Sequence, residues 1–195
     1  MEAPSRIYQS TFDLNSLTDE QRREYSQHQF TGTFSAGLTI FLHLITAGIF
    51  TIIYFGLKHS KLPKIRHDDF GAGRAIGFMF IPGFNAYWVF RFCLRLVDRV
   101  NFQLRLRGLQ PTIGRGFLLA TVIISLVLFP VAFLVPMFSQ IVPAVIVRYT
   151  IYPVIVGYTI PVVMYTICVG KGQIATNRLA EKGVLERLEN TNSKR

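Results

Sequence analysis

Three polar side chains stand in apolar surroundings, and each has a functional and a structural interpretation. His43 could relay protons or bind a pigment or metal, or it could hydrogen-bond to a neighbouring helix. Asn85 follows Pro82 and Gly83, so it could line a binding path or satisfy backbone groups freed by that break. Arg148 could bind an anion or a lipid phosphate, or anchor a helix at a polar boundary. These three residues are the predicted intramembrane polar sites.

Four of the five arginines within residues 91–107 could bind anionic lipid: Arg91, Arg95, Arg99 and Arg105. Apolar residues fall at helical spacing on the opposite face of the same segment: Cys93, Leu96, Val97, Val100 and Leu104. This pattern predicts an amphipathic basic helix that lies in the headgroup region of a membrane. The alternative is a helix that docks onto a partner's helix.

Histidine and carboxylate residues share one loop at His59, His67, Asp68 and Asp69 and could bind a metal. Nearby lysines repel cations and the spacing matches no metal-binding signature, so we predict no metal site. The sequence has no glycine-rich phosphate loop, nucleophile elbow, zinc motif or haem motif. The predicted membrane segments hold no carboxylate apart from Asp98. We therefore predict no catalytic residues, no cofactor and no enzymatic activity.

Three long runs contain no Asp, Glu, Lys or Arg: residues 25–57, 116–147 and 149–170. A hydrocarbon layer of about 30 Å takes about 20 apolar residues to cross as a helix. The runs therefore predict an all-α integral membrane protein with three transmembrane helices at 34–57, 117–138 and 147–169.

Residues 75–90 are too short for a straight crossing and contain Pro82-Gly83 at their centre. Basic segments lie on both sides of them, which predicts a short re-entrant element that returns to the side it came from. An alternative arrangement folds residues 34–57 as a hairpin around Ala47-Gly48 instead of crossing the membrane.

The chain divides into a polar N-terminal arm (1–29), a membrane domain (30–170) and a polar tail (171–195). Cap residues near position 18 predict a short helix over 17–28, and the alternative is a solvated, partly ordered arm. Lys and Arg collect in cytoplasmic loops, so the tail is predicted in the cytoplasm and the N-terminus outside. The formal net charge of +10 could suggest nucleic acid. Basic loops beside apolar runs instead predict anionic lipid headgroups as partners, and no nucleic acid.

The blocks 43–50, 59–63 and 80–88, with the arginine-rich helix after them, resemble a group of small bacterial multi-pass membrane proteins of unassigned function. The aromatic block FIPGFNAYW is the most specific of these. The resemblance implies a bacterial-type inner or internal membrane and brings no activity with it.

Small residues and prolines in the predicted spans favour close packing of kinked helices. The predicted function is a structural or accessory subunit of a membrane assembly, which self-associates or packs against a larger membrane complex. The alternative is a small homo-oligomeric channel or transporter in which the re-entrant element and Asn85 line the path.

Overall fold

The computed structural model describes residues 17–26, 32–138 and 144–192, and within them the secondary structure is helical with no strand. A 3₁₀ turn, Phe78–Phe80, connects two of the helices. The helices are α1 (Asp19–Ser26), α2 (Ala36–Ile45), α3 (Ile49–Lys61), α4 (Ala72–Gly77), α5 (Phe84–Leu106), α6 (Arg115–Phe138) and α7 (Ala144–Asn192).

Helix α1 begins with a reciprocal cap. The Gln21 backbone N–H donates to Thr18 Oγ1 at 3.3 Å, and the Thr18 N–H donates to Gln21 Oε1 at 3.1 Å. Such a pair satisfies two N–H groups that a helix start leaves unpaired. Tyr25 then packs edge-on against Phe102 of α5, with ring centroids 5.5 Å apart. The helix predicted over 17–28 is thus present as α1. Residues 1–16 of the predicted arm lie outside the described residues.

The first predicted transmembrane helix, 34–57, is a helical hairpin. Ala47 and Gly48 have φ of 48° and 89°, so the backbone turns left-handed at two consecutive residues and α2 cannot continue. The Gly48 N–H donates to the His43 carbonyl at 2.8 Å, which closes the end of α2. The prediction of a single crossing is wrong, and the alternative hairpin around Ala47-Gly48 is the observed one.

Both helices of this hairpin are short. Helix α2 has 10 residues and α3 has 13, which at 1.5 Å per residue gives about 15 and 20 Å. A hydrocarbon layer is about 30 Å thick. The uncharged run 25–57 is long enough to cross a hydrocarbon layer, but neither of the two helices that it forms is.

The element predicted at 75–90 breaks where Pro82-Gly83 indicated. Helix α4 ends in the 3₁₀ turn, and Gly83 has a φ of 76° before α5 begins at Phe84. The aromatic block that follows belongs to the same helix as the arginine-rich segment, since α5 runs for 23 residues to Leu106.

Contacts along α3 show the direction of α4. His59, near the end of α3, packs against Phe70, with ring centroids 4.8 Å apart, just before α4 begins. Gly56, one turn earlier in α3, lies against Ile76, later in α4. Helix α4 therefore runs back along α3, and the break at 81–83 lies towards the same end of α3 as the turn at 46–48.

Helix α5 then runs forward again beside α3. The Trp88 ring Nε1 donates to the Ala75 carbonyl at 3.2 Å, and Phe92, one turn later, packs against His59 at 5.1 Å. Arg99 lies further along, at the connection 62–71. This connection is therefore at the end of α3 opposite the two hairpin ends.

Gly56 is required by the close approach of α3 and α4. A Cβ atom at this position would lie 2.4 Å from Ile76 Cγ1, closer than two carbon atoms can approach. Gly56→Ala should lower the free energy of unfolding by about 1–2 kcal/mol through overpacking. Gly73→Ala in α4 is the control, because a Cβ there meets nothing within 4 Å, and it should be neutral or slightly stabilising. Chemical denaturation measures both variants, and equal effects would contradict the assigned contact.

The apolar face of α5 is buried within the protein. Trp88, Phe92, Leu96, Val100 and Leu104 recur every four residues and join one core with residues of α3, α4 and α7. Val97 joins a second cluster with Leu118 of α6 and Cys168 of α7. The face predicted to rest in a headgroup region therefore packs against other helices of the same chain, and burial of its large side chains stabilises the fold.

Helices α6 and α7 coincide with the other two predicted spans, and α7 continues for 49 residues through the predicted boundary at 170. None of the helices within 17–26, 32–138 and 144–192 combines the length and apolar character that a membrane crossing requires. The predicted integral membrane fold with three transmembrane helices is therefore wrong. The predicted location as an integral protein of an inner or internal membrane is wrong for the same reason. The assignment of the two termini to opposite sides of a membrane is wrong as well.

Candidate functional site

The Arg99 guanidinium is the centre of a buried polar cluster between α5 and the connection 62–71. Its Nε donates to the Pro63 carbonyl at 2.9 Å, and its Nη1 donates to the Phe70 carbonyl at 3.2 Å. Its Nη2 donates to the carbonyls of His59, at 2.8 Å, and Leu62. Nη1 also lies 3.3 Å from His59 Nδ1. All five guanidinium N–H groups thus have a partner, and the side chain holds the connection in place.

The environment of His59 keeps its imidazole neutral. The side chain is 1% exposed and lies between Phe70 and Phe92, while Arg99 adds a positive charge beside it. Burial, and then the Arg99 charge, lower the pKa of His59 to about 3, against a smaller opposing effect of the Phe92 backbone. A neutral imidazole can accept a hydrogen bond from Arg99 through Nδ1.

The two aspartates of the predicted loop are held by cationic and backbone groups. Asp69 Oδ2 accepts the N–H groups of Ile65 and Arg66 at 2.8 and 2.9 Å. Asp68 Oδ2 pairs with both Arg91 and Arg95. Among the described residues, no group of three His, Cys, Asp or Glu side chains could hold a metal ion. The contacts of both aspartates fix the loop rather than leave a ligand set open.

A cleft of about 420 Å³ opens where α5 meets the connections 62–71 and 107–114 and the start of α6. We call it the arginine cleft. Asn101 helps to close one wall by donating to the Ile113 carbonyl at 2.9 Å. Its charged lining consists of five arginines and two aspartates: Arg66, Arg95, Arg99, Arg105, Arg115, Asp69 and Asp98. Its lining is therefore positively charged overall.

The four predicted lipid-binding arginines do not form one surface. Arg91 lies outside the cleft and donates to the Tyr87 hydroxyl at 3.1 Å as well as pairing with Asp68. Arg95 and Arg99 line the cleft but are engaged in the protein, and Arg99 is 1% exposed. Arg105 is exposed at the cleft. A flat headgroup layer therefore cannot contact all four, because burial withdraws Arg99 from the surface.

The three predicted intramembrane polar residues are not brought together by any described contact. His43 Nδ1 lies 2.8 Å from Thr51 Oγ1 across the first hairpin, and burial lowers the pKa of His43. The structural interpretation of His43, a hydrogen bond to a neighbouring helix, is the observed one. Asn85 is exposed in the first turn of α5. Arg148 lies in α7, and its side chain is outside the described residues. The channel or transporter alternative stays a prediction.

Comparison with protein-family models, curated proteins and solved structures finds no match to this chain. A function for this chain is therefore inferred from the arrangement of its own residues.

Three cleft residues were not singled out as sites from the sequence: Arg66, Asp98 and Arg115. The sequence signal was the surplus of basic residues between the first two uncharged runs, where eleven Lys and Arg accompany three acids. That surplus indicates a basic region, but it does not indicate which of its members meet in the fold.

Proposed function

We propose that the protein is a structural or accessory subunit of a membrane assembly, held at a lipid surface by the ends of its two helical hairpins. The observation that carries the proposal is the exposure of large apolar side chains at these ends. We call the following eight side chains the apolar ends: Phe41, Leu44, Ile45, Ile49, Phe80, Ile81, Phe84 and Tyr87.

Exposed apolar clusters favour a partner, because burying such side chains away from water is favourable. Both apolar ends lie beside the start of α3, so they can contact one lipid surface together. Tyr87 supports this orientation, since its ring is exposed and its hydroxyl accepts a hydrogen bond from Arg91. An aromatic ring with a polar tip is typical of the boundary between lipid and water. The attachment needs no helix that crosses the membrane.

The contacts of the ionisable groups favour a structural role over catalysis. Arg99 donates only to groups of the protein itself, and Asp69 accepts backbone N–H groups of its own loop. Asp68 joins the loop to α5 through two arginines. These side chains position backbone, which is what an accessory subunit with a fixed docking shape requires.

Replacing Phe41 and Ile45 together by serine should release the protein from neutral phosphatidylcholine vesicles. The two side chains are 57% and 61% exposed, so their loss removes contact with lipid more than packing within the protein. Each buried apolar side chain contributes about 1.5–3 kcal/mol, so vesicle affinity should fall about a hundredfold or more. Co-flotation with vesicles on a density gradient measures the bound fraction.

The matched control replaces Val184 and Leu185 by serine. These side chains are 47% and 51% exposed but lie far along α7. The control should bind vesicles as the wild type does. Unchanged binding of the Phe41/Ile45 variant, or an equal loss in the control, would contradict attachment through the apolar ends.

The subunit part of the proposal is tested by the native mass after gentle extraction from the cell's own membranes. A particle larger than the 22.2 kDa chain, with fixed composition, is expected. A homogeneous particle of 22.2 kDa would contradict an assembly role even if vesicle binding is observed.

A further inference from the structure

The arginine cleft contains guanidinium groups whose hydrogen bonds the fold does not use. Arg66 and Arg115 lie 3.8 and 3.7 Å from Asp98 Oδ2, which is attractive but too long for a hydrogen bond. Arg105 is exposed and has no ion pair among the described residues. These three side chains therefore have N–H groups available for a ligand, whereas those of Arg99 are all engaged.

The start of α6 borders the same cleft through Gly114 and Arg115. The first bond of this helix runs from the Leu118 N–H to the Gly114 carbonyl at 3.2 Å, so the preceding N–H groups have no partner within the helix. The positive end of the helix dipole adds to the three guanidinium groups. Both features favour a negatively charged oxygen ligand.

One carboxylate at the cleft specifies more than charge. The Asp98 side chain is 22% exposed, so a ligand in the cleft can reach this carboxylate beside Arg66 and Arg115. The Asp69 side chain is 1% exposed and faces Arg95 at 3.9 Å, so it adds negative charge without contacting the ligand. A ligand with negative oxygens alone would be repelled by the Asp98 carboxylate, whereas a hydroxyl group on the ligand could donate to it. This arrangement favours a ligand that combines an anion with hydroxyl groups.

We infer that the arginine cleft binds a phosphate ester that carries free hydroxyl groups, with guanidinium groups on the phosphate and the Asp98 carboxylate on a hydroxyl. The volume of about 420 Å³ accommodates a small ligand of this class. The chemistry is the same in a soluble glycerol phosphate and in the headgroup of phosphatidylglycerol. The inference goes beyond the attachment proposed above and does not depend on it, because the apolar ends lie at the start of α5 and the cleft lies along its second half.

Titration of the full chain with glycerol 3-phosphate, followed by calorimetry, tests the soluble form of the ligand. Replacing Arg105 and Arg115 together by glutamine should weaken binding about tenfold or more, since charge-assisted hydrogen bonds are lost. The matched control replaces Arg74 and Arg178 by glutamine, which removes the same charge from exposed positions of α4 and α7. The control should bind as the wild type does, and both variants should melt at the wild-type temperature.

Vesicles of phosphatidylglycerol and of phosphatidylcholine distinguish the two sources. If the ligand is a lipid headgroup, the wild type should prefer phosphatidylglycerol, and the Arg105/Arg115 variant should lose this preference. If the ligand is soluble, only glycerol 3-phosphate binding should depend on these arginines. Dependence in either arm supports the inference. Independence in both arms, or an equal loss in the Arg74/Arg178 control, overturns it.

The affinities for two anions, with and without hydroxyl groups, test the role of the ligand's hydroxyl groups. Inorganic sulfate has the charge but no hydrogen to donate, so the wild type should bind glycerol 3-phosphate about tenfold more tightly than sulfate. Asp98→Asn removes the opposing carboxylate and should abolish this preference. A preference that persists in Asp98→Asn, or a wild type that binds sulfate equally well, overturns the assignment of the Asp98 carboxylate.

Discussion

Replacing Arg99 by methionine should lower the free energy of unfolding by about 3–5 kcal/mol, the largest effect we expect from a single substitution. Methionine fills a similar length but donates no hydrogen bond. The carbonyls of His59, Leu62, Pro63 and Phe70 would then remain buried without their donor. Unpaired buried polar groups cost more than the net value of the bonds they lose. Chemical denaturation monitored by circular dichroism measures the change.

Arg105→Met is the matched control, because Arg105 lies on the same helix and is exposed. Its effect should stay within about 0.5 kcal/mol, as for most surface substitutions. Arg99→Lys keeps the charge with three donors instead of five and should fall between the two. If Arg99→Met and Arg105→Met are equally stable, the Arg99 cluster does not hold the connection 62–71.

Acidification should destabilise the protein through His59. An unfolded histidine takes up a proton near its ordinary pKa of about 6.5, whereas burial keeps the pKa of folded His59 at about 3. Between these values the unfolded state binds more protons, so stability is full above pH 6.5 and falls as the pH decreases towards 3. At about 1.4 kcal/mol per pH unit, the loss between pH 7 and pH 4.5 is about 2.5 kcal/mol.

His59→Gln removes the titrating group but keeps an oxygen that can accept from Arg99. The stability of this variant should depend less steeply on pH than that of the wild type over the same window. His67→Gln is the matched control, since it makes the same change at an exposed position of the same loop. In wild-type protein, the ring resonances of His59 should not titrate above pH 4.5. A His59 resonance that titrates near pH 6.5 would contradict the prediction.

The breaks in the fold were predictable because their signals are local. Pro82-Gly83 and Ala47-Gly48 mark two of the breaks at which the described backbone adopts positive φ, a conformation that glycine permits whatever lies nearby. The cap of α1 is equally local, since Thr18 and Gln21 satisfy each other. Helical periodicity likewise predicted which residues of α5 share an apolar face.

The partner of that face was not predictable, because periodicity shows that a face is apolar but not what covers it. Arg99 falls on the polar side of α5 by spacing, yet carbonyl groups from a connection nearly forty residues earlier surround its guanidinium. The crossing helices were wrongly predicted because an uncharged run was taken as one helix, whereas two left-handed residues divide the first run into a hairpin. Arg66 and Arg115 meet at Asp98 only through the tertiary fold.

Helix α5 also fixes the distance between the two surfaces. Phe84 at the apolar end and Asp98 at the arginine cleft are 14 residues apart on one unbroken helix, which corresponds to about 21 Å. If Tyr87 lies at a boundary between lipid and water as proposed, the cleft would stand about 16 Å beyond that boundary, because Asp98 follows Tyr87 on the same helix. Adding one turn to α5 would move the cleft about 5 Å further out.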